Sequence, residues 1–226
     1  MKKFRKLFTT RVVEVLIFAS LLSVGLLSVR IVAADELWLS FMAWNLFLAW
    51  LPLVFALSLR INLAKKPWRH WQNLLLTLLW LGFLPNSFYM MTDLIHLQSS
   101  GQVSVLYDAA MMMSFVLNGL ILGYMSVYLV HVQLLERFKR NQAHAIIMLA
   151  LLSCGFAIYL GRYLRWNTWD VLINPFGILF DLSERVVNPV VHSQTYVITF
   201  VYFMVIATTY GVVYELAGLL DNSTKK

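Results

Sequence analysis

Between Trp71 and Leu97 the chain reads WQNLLLTLLWLGFLPNSFYMMTDLIHL. An apolar run over roughly residues 71–92, close to the about 20 residues that carry a helix across a bilayer, leads here into a polar segment. Pro85 lacks a backbone donor and crowds the preceding turn, so the run predicts a kinked third helix. Asn86 and Ser87 follow it and are able to bond the carbonyls that a proline exposes. Asp93 and His96 stand three apart, which on a helix places them on one face. If the helix ends at the kink, they are neighbours on a loop instead.

Working outward, the composition agrees with a membrane protein. The 226 residues are 60% hydrophobic and 13% charged, with a mean hydropathy of +0.72. A soluble domain carries about a quarter charged residues, so a water-facing surface is short of material here. Six apolar runs stand out, at about 12–31, 37–59, 71–92, 107–131, 144–163 and 194–219. The expected fold is all-α: one integral membrane domain over residues 1–226, a polytopic bundle of six transmembrane helices with lipid bilayer as its surroundings.

The net charge of +7 does not point to nucleic acid, because that reading needs a basic face on a soluble fold. The basic residues cluster between apolar runs. Lys2, Lys3, Arg5, Lys6 and Arg11, then Arg60, Lys65, Lys66 and Arg69, then Arg137, Lys139 and Arg140, and finally Lys225 and Lys226 fall on one side. The other side holds Arg30, Arg162, Arg165 and Arg185. By the positive-inside rule both termini are cytoplasmic. The start MKKFRKLFTTR resembles a secretory signal, and Val32-Ala33-Ala34 would serve as a cleavage site. The apolar run is longer than the usual signal core, which predicts an uncleaved first helix.

Asn45 lies well inside the second run and should face another helix, where its amide finds partners that lipid cannot offer. Gly119 and Gly123, spaced as a close-packing pair, should bring the fourth helix near a neighbour. Met111 to Met113 read as adaptable filler, His131 and His144 as interfacial residues of the cytoplasmic side, and Cys154 as a buried hydrophobe. Between the fifth and sixth runs, Asn174-Pro175 and Asn188-Pro189 bracket a short helix. Its mixed apolar and charged residues suit a position in the outer interface.

Arg162 and Arg165 depart most sharply from the charge rule. As a functional pair they would clamp a carboxylate or phosphate, which guanidinium geometry favours. As a structural pair they would join Asp93, Asp108 and Asp170 in a network that holds helix ends together. The candidate ligand-binding set is therefore Asn86, Asp93, His96, Asp108, Arg162, Arg165, Asn167 and Asp170. Asp93 and His96 are weak candidates for metal ligation, and nothing in the pattern specifies a cofactor.

Three blocks resemble a known family. Leu84 to Leu97 is similar to its PNAPYxxTDLIHL block, with Ser87 where the family has alanine. Tyr107-Asp108 and the helix after it resemble a second block. Tyr159 to Asp170, YLGRYLRWNTWD, is similar to an LGRxLRWNSWD block, with Thr168 in place of serine. The family is a domain-of-unknown-function group of bacterial multi-pass membrane proteins. The resemblance implies a bacterial plasma membrane and supplies no activity. Three functions are compatible with these residues: binding or transport of a small anionic solute or lipid headgroup, an enzyme acting on outer-leaflet lipid or envelope precursor, and a structural subunit of a membrane complex.

Overall fold

The computed structural model describes residues 2–97, 103–166 and 170–223. Among these, all regular structure is helical: α1 (Lys2–Ala34), α2 (Phe41–Leu63), α3 (Trp71–Tyr89), a 3-10 turn (Met90–His96), α4 (Val105–Leu135), α5 (Arg140–Tyr163), α6 (Asp170–Ile173), α7 (Pro175–Val187) and α8 (Ser193–Ser223). Six of them hold apolar stretches long enough to cross a membrane, Thr10–Ala34, Phe41–Leu63, Trp71–His96, Val105–Leu135, Arg140–Tyr163 and Ser193–Leu219. The six runs legible in the sequence are thus six helices. Several extend past their apolar limits, because a helix end is set by capping rather than hydropathy. α5, for example, begins at Arg140, where the Gln142 side chain accepts from the Lys139 N–H at 3.3 Å.

The centre of the bundle is formed by α2, α3 and α4. Leu46, Ala49 and Leu53 of α2 pack with Leu84 and Phe88 of α3 and with Met111, Met112 and Phe115 of α4. Of the methionine run, Met111 and Met112 are core and Met113 is exposed. Gly119 and Gly123 explain the close approach of α4 to α3. A Cβ at 119 would lie 2.6 Å from Met90 Sδ and 2.7 Å from the Ser87 carbonyl oxygen. One at 123 would lie 2.9 Å from Ser87 Cβ. Gly155 plays the same part between α5 and α8, where an added Cβ would meet the Thr199 carbonyl at 2.5 Å.

Pro85 does not end α3, which stays α-helical to Tyr89 before tightening into the 3-10 turn. The two polar residues after it bond to carbonyls. Asn86 donates to the Phe83 carbonyl of its own helix at 3.0 Å. Ser87 reaches across to α2 and donates to the Ala49 carbonyl at 3.0 Å. That carbonyl is next to Leu48's, which Pro52 leaves without its helical donor.

α1 attaches through polar contacts to α4 and α2. Tyr107 donates to the Leu26 carbonyl at 2.8 Å, Asn118 to Ser23 Oγ at 2.9 Å, and Trp50 to Ser20 Oγ at 3.1 Å. At the basic end of the bundle, His131 is buried rather than interfacial. Its Nδ1 lies 2.8 Å from the Tyr210 hydroxyl and its ring stacks on Tyr214, so α8 closes over it, while His144 of α5 packs edge-on against it. The other end, where α1, α3 and α5 finish, carries the candidate site.

α7 forms where the two Asn-Pro pairs bracket it. Asn174 is its N-cap, accepting from the Gly177 N–H at 3.1 Å, Pro175 stands at the first helical position, and Asn188 closes the far end.

Candidate functional site

The site is assembled where the 3-10 turn after α3 meets the start of α2 and the end of α5. The tighter turn brings residues three apart nearly into register. Tyr89 and Thr92 make one row, Asp93 and His96 the next, and Arg162 of α5 reaches all four. Its Nη2 donates to the Thr92 carbonyl at 2.8 Å and lies 3.2 Å from His96 Nε2. Its Nη1 reaches the Tyr89 hydroxyl at 3.5 Å and Asp93 Oδ1 at 3.9 Å. The guanidinium carbon also lies 5.8 Å from the Tyr89 ring centre. Gly161 makes room for that ring, since a Cβ there would sit 3.0 Å from Tyr89 Cε2.

Asp93 is fully buried. Its Oδ2 accepts from Asn45 Nδ2 at 2.9 Å, so the amide expected to face another helix is spent on this carboxylate. Oδ1 has the Arg162 charge nearby and no hydrogen bond of its own. A guanidinium only donates, so its bond to His96 requires Nε2 as acceptor and places the ring proton on Nδ1. The His96 ring is wedged edge-on between Phe41, at 5.3 Å between centres, and Trp38, at 6.1 Å.

Trp38 belongs to a second cluster. The guanidinium of Arg30, at the end of α1, lies 5.6 Å from its ring centre. Arg30 is fully buried and pairs with Asp108 Oδ1 at 3.4 Å and Glu36 Oε2 at 3.4 Å. Here the structure regroups the predicted set. It joins Asp93, His96 and Arg162, and it gives Asp108 to Arg30, an arginine that departs from the charge rule as Arg162 does. The sequence signal for Arg30 was that same departure. Trp38, Phe41 and Tyr89 gave none, because an aromatic at a helix end is common in any membrane protein.

Among the other expected residues, Asn86 turns back to its own helix. Arg165 is exposed, just past the end of α5, with a backbone φ of 58°. The chain reverses there, and the Trp166 N–H returns to the Leu160 carbonyl at 3.2 Å. Asp170 opens α6. Asn167 lies outside the described residues. Beyond the reversal, Trp166 Nε1 donates to Asp181 of α7 at 2.7 Å.

Six long apolar helices whose buried charges gather at one end define a multi-pass membrane protein. The chain belongs to the family described as protein of unknown function (DUF1361), whose model matches residues 44–209. The matched stretch includes Asn45, Asp93, His96, Asp108, Arg162 and Arg165, and begins after Arg30 and Trp38. Neither a curated protein nor a solved structure matches the chain.

Proposed function

We propose that the protein binds a small anionic group, of a solute or of a lipid headgroup, at this end of the bundle, with Arg165 and Arg162 as its cationic contacts. The observation that carries this reading is the backbone of Arg165. A φ of 58° is the left-handed region that favours glycine at a helix end, yet the position holds a long exposed cation. Strain of this kind, kept beside a cluster of buried charge, supports a use for the side chain rather than for the turn. The distribution of basic residues supports a plasma-membrane orientation with both termini cytoplasmic and the site facing outward.

A second reading, a structural subunit, draws support from Arg162 itself. Its terminal nitrogens are directed at Thr92, His96, Tyr89 and Asp93, all groups of the protein. A metal-dependent enzyme has less support. The guanidinium occupies His96 Nε2, and no group of three His, Cys, Asp or Glu side chains is placed to hold a metal among the described residues.

Native mass spectrometry on protein purified in mild detergent separates the readings, with phosphatidylglycerol and inorganic phosphate as probes. Wild type should retain one of the two, and Arg165→Gly should lose that adduct while unfolding no earlier. An Arg165→Gly protein that binds both probes like wild type would sink the anion reading.

A further inference from the structure

We propose that α7 is a bilayer-embedded helix whose outward face lies among the acyl chains of the leaflet at the site end. The proposal stands apart from the anion-binding reading and uses different residues. A helix on a water-facing surface turns its apolar stripe to the core and its charges to solvent. α7 does the reverse. Gly177, Asp181 and Arg185, at intervals of four, make its inner stripe. Asp181 accepts the Trp166 indole N–H at 2.7 Å, and Arg185 is buried with its guanidinium 5.9 Å from the Tyr159 ring centre. Tyr196 at the start of α8 donates to the Arg185 carbonyl at 2.8 Å, fixing the helix against both spanning neighbours.

The opposite stripe is Phe176, Leu179, Phe180 and Val187, which are 81%, 59%, 68% and 74% exposed. Ser183 lies on the same side, and its hydroxyl is folded back onto the Phe180 carbonyl at 2.8 Å, so it donates within the helix. The apolar surface does not stop at the helix end. Exposed Val190 and Val191 continue it to Val197, Phe200 and Val201 on α8, a membrane-spanning helix whose outer face meets lipid. With 13 residues, α7 is about 20 Å long, too short to cross a hydrocarbon core of about 30 Å. An apolar face continuous with the lipid-facing wall, on a helix that turns Asp181 and Arg185 into the protein and keeps Glu184 on its flank beside His192, fits acyl chains as its occupant.

The test uses Phe176→Cys and Phe180→Cys, each labelled with an environment-sensitive fluorophore, with Glu184→Cys as the polar-flank control. Native Cys154 is buried, and unaltered protein carried through the labelling gives the background. In phosphatidylglycerol–phosphatidylethanolamine vesicles, labels at 176 and 180 should be blue-shifted relative to 184. They should lose most of their emission to lipids brominated on the acyl chains, and little to aqueous iodide. Quenching at 176 and 180 by iodide instead would overturn the proposal. So would protection from both quenchers, which would mean that another protein covers this face. Two positions are used so that misfolding of one variant leaves the other to decide.

Discussion

Asn45 of α2 and Asp93 of the 3-10 turn are joined at 2.9 Å, and this bond aims the carboxylate's other oxygen at Arg162, 3.9 Å away. Residues from two other chain segments, α2 and α5, therefore converge on a carboxylate with no exposure to solvent. Asp93→Ala would leave the Asn45 amide without its acceptor and the Arg162 guanidinium without its counter-charge, and removing one member of a buried ion pair costs about 3 kcal/mol. Asp93→Asn keeps an oxygen for Asn45 and loses only the charge. The expected order of thermal unfolding midpoints in detergent is wild type, then Asp93→Asn, then Asp93→Ala.

The Arg30–Asp108 pair allows a sharper comparison. Arg30→Met strands the buried Asp108 charge and should cost about 3 kcal/mol, while Asp108→Leu leaves Arg30 with Glu36 alone and should cost less. The double variant strands neither and should unfold close to wild type. Chemical or thermal unfolding of all four proteins checks the cycle. A double variant as weak as the singles would show that the pair is not the source of the loss.

Glycine substitutions should sort by what their new methyl group meets. Gly155→Ala would place a Cβ 2.5 Å from the Thr199 carbonyl and 3.0 Å from the Phe203 amide nitrogen, both backbone, so α8 must move. A loss of about 1–3 kcal/mol is expected. Gly119→Ala meets the end of the flexible Met90 side chain as well as the Ser87 carbonyl, and should lose somewhat less. Gly211→Ala meets nothing within 4 Å and should be neutral or slightly stabilising. The midpoints of the three variants, measured side by side, provide the ranking.

Arg165→Gly should be neutral or stabilising by up to about 1 kcal/mol, because glycine accepts a φ of 58° without a Cβ clash. Arg165→Ala should gain nothing, since alanine keeps that clash. Unfolding midpoints of the two variants separate backbone relief from loss of charge.

Trp166→Phe removes the indole donor to Asp181 while keeping most of the aromatic volume. A hydrogen bond to a charged group contributes about 1.5–3 kcal/mol, and here it acts between the end of α5 and α7. Hydrogen exchange should accelerate in Pro175–Val187 and not in α2 or α4. Uniform acceleration would place the defect elsewhere.

The sequence carries the fold and the end of the bundle to which each charge belongs, because hydropathy and the basic clusters are one-dimensional signals. The two Asn-Pro pairs likewise marked α7, since Asn caps and Pro starts a helix without help from distant residues. Azimuth is different. Nothing in the order of residues states that Asp108 faces α1 while Asp93 faces α2 and α5, and so the pairing of Asp108 with Arg30 emerged only in three dimensions. His131 shows the same limit in reverse. Its place near the end of a run suggested an interface, and α8 buries it. The 3-10 turn was also out of reach, because nothing in the order of residues 90–96 marks it apart from one more α-turn.

Trp38 stands in the short connection between α1 and α2, with Arg30 against one part of its surface and His96 against another. The two ion pairs share a wall that belongs to neither, and contact through a common residue is the condition for energetic coupling. Changes at Asp93 and at Asp108 should fail to add when combined, with Trp38 as the medium of their interaction energy. An anion that drew Arg162 away from His96 would loosen the ring on which Arg30 rests, and the first helix would feel what the fifth had bound.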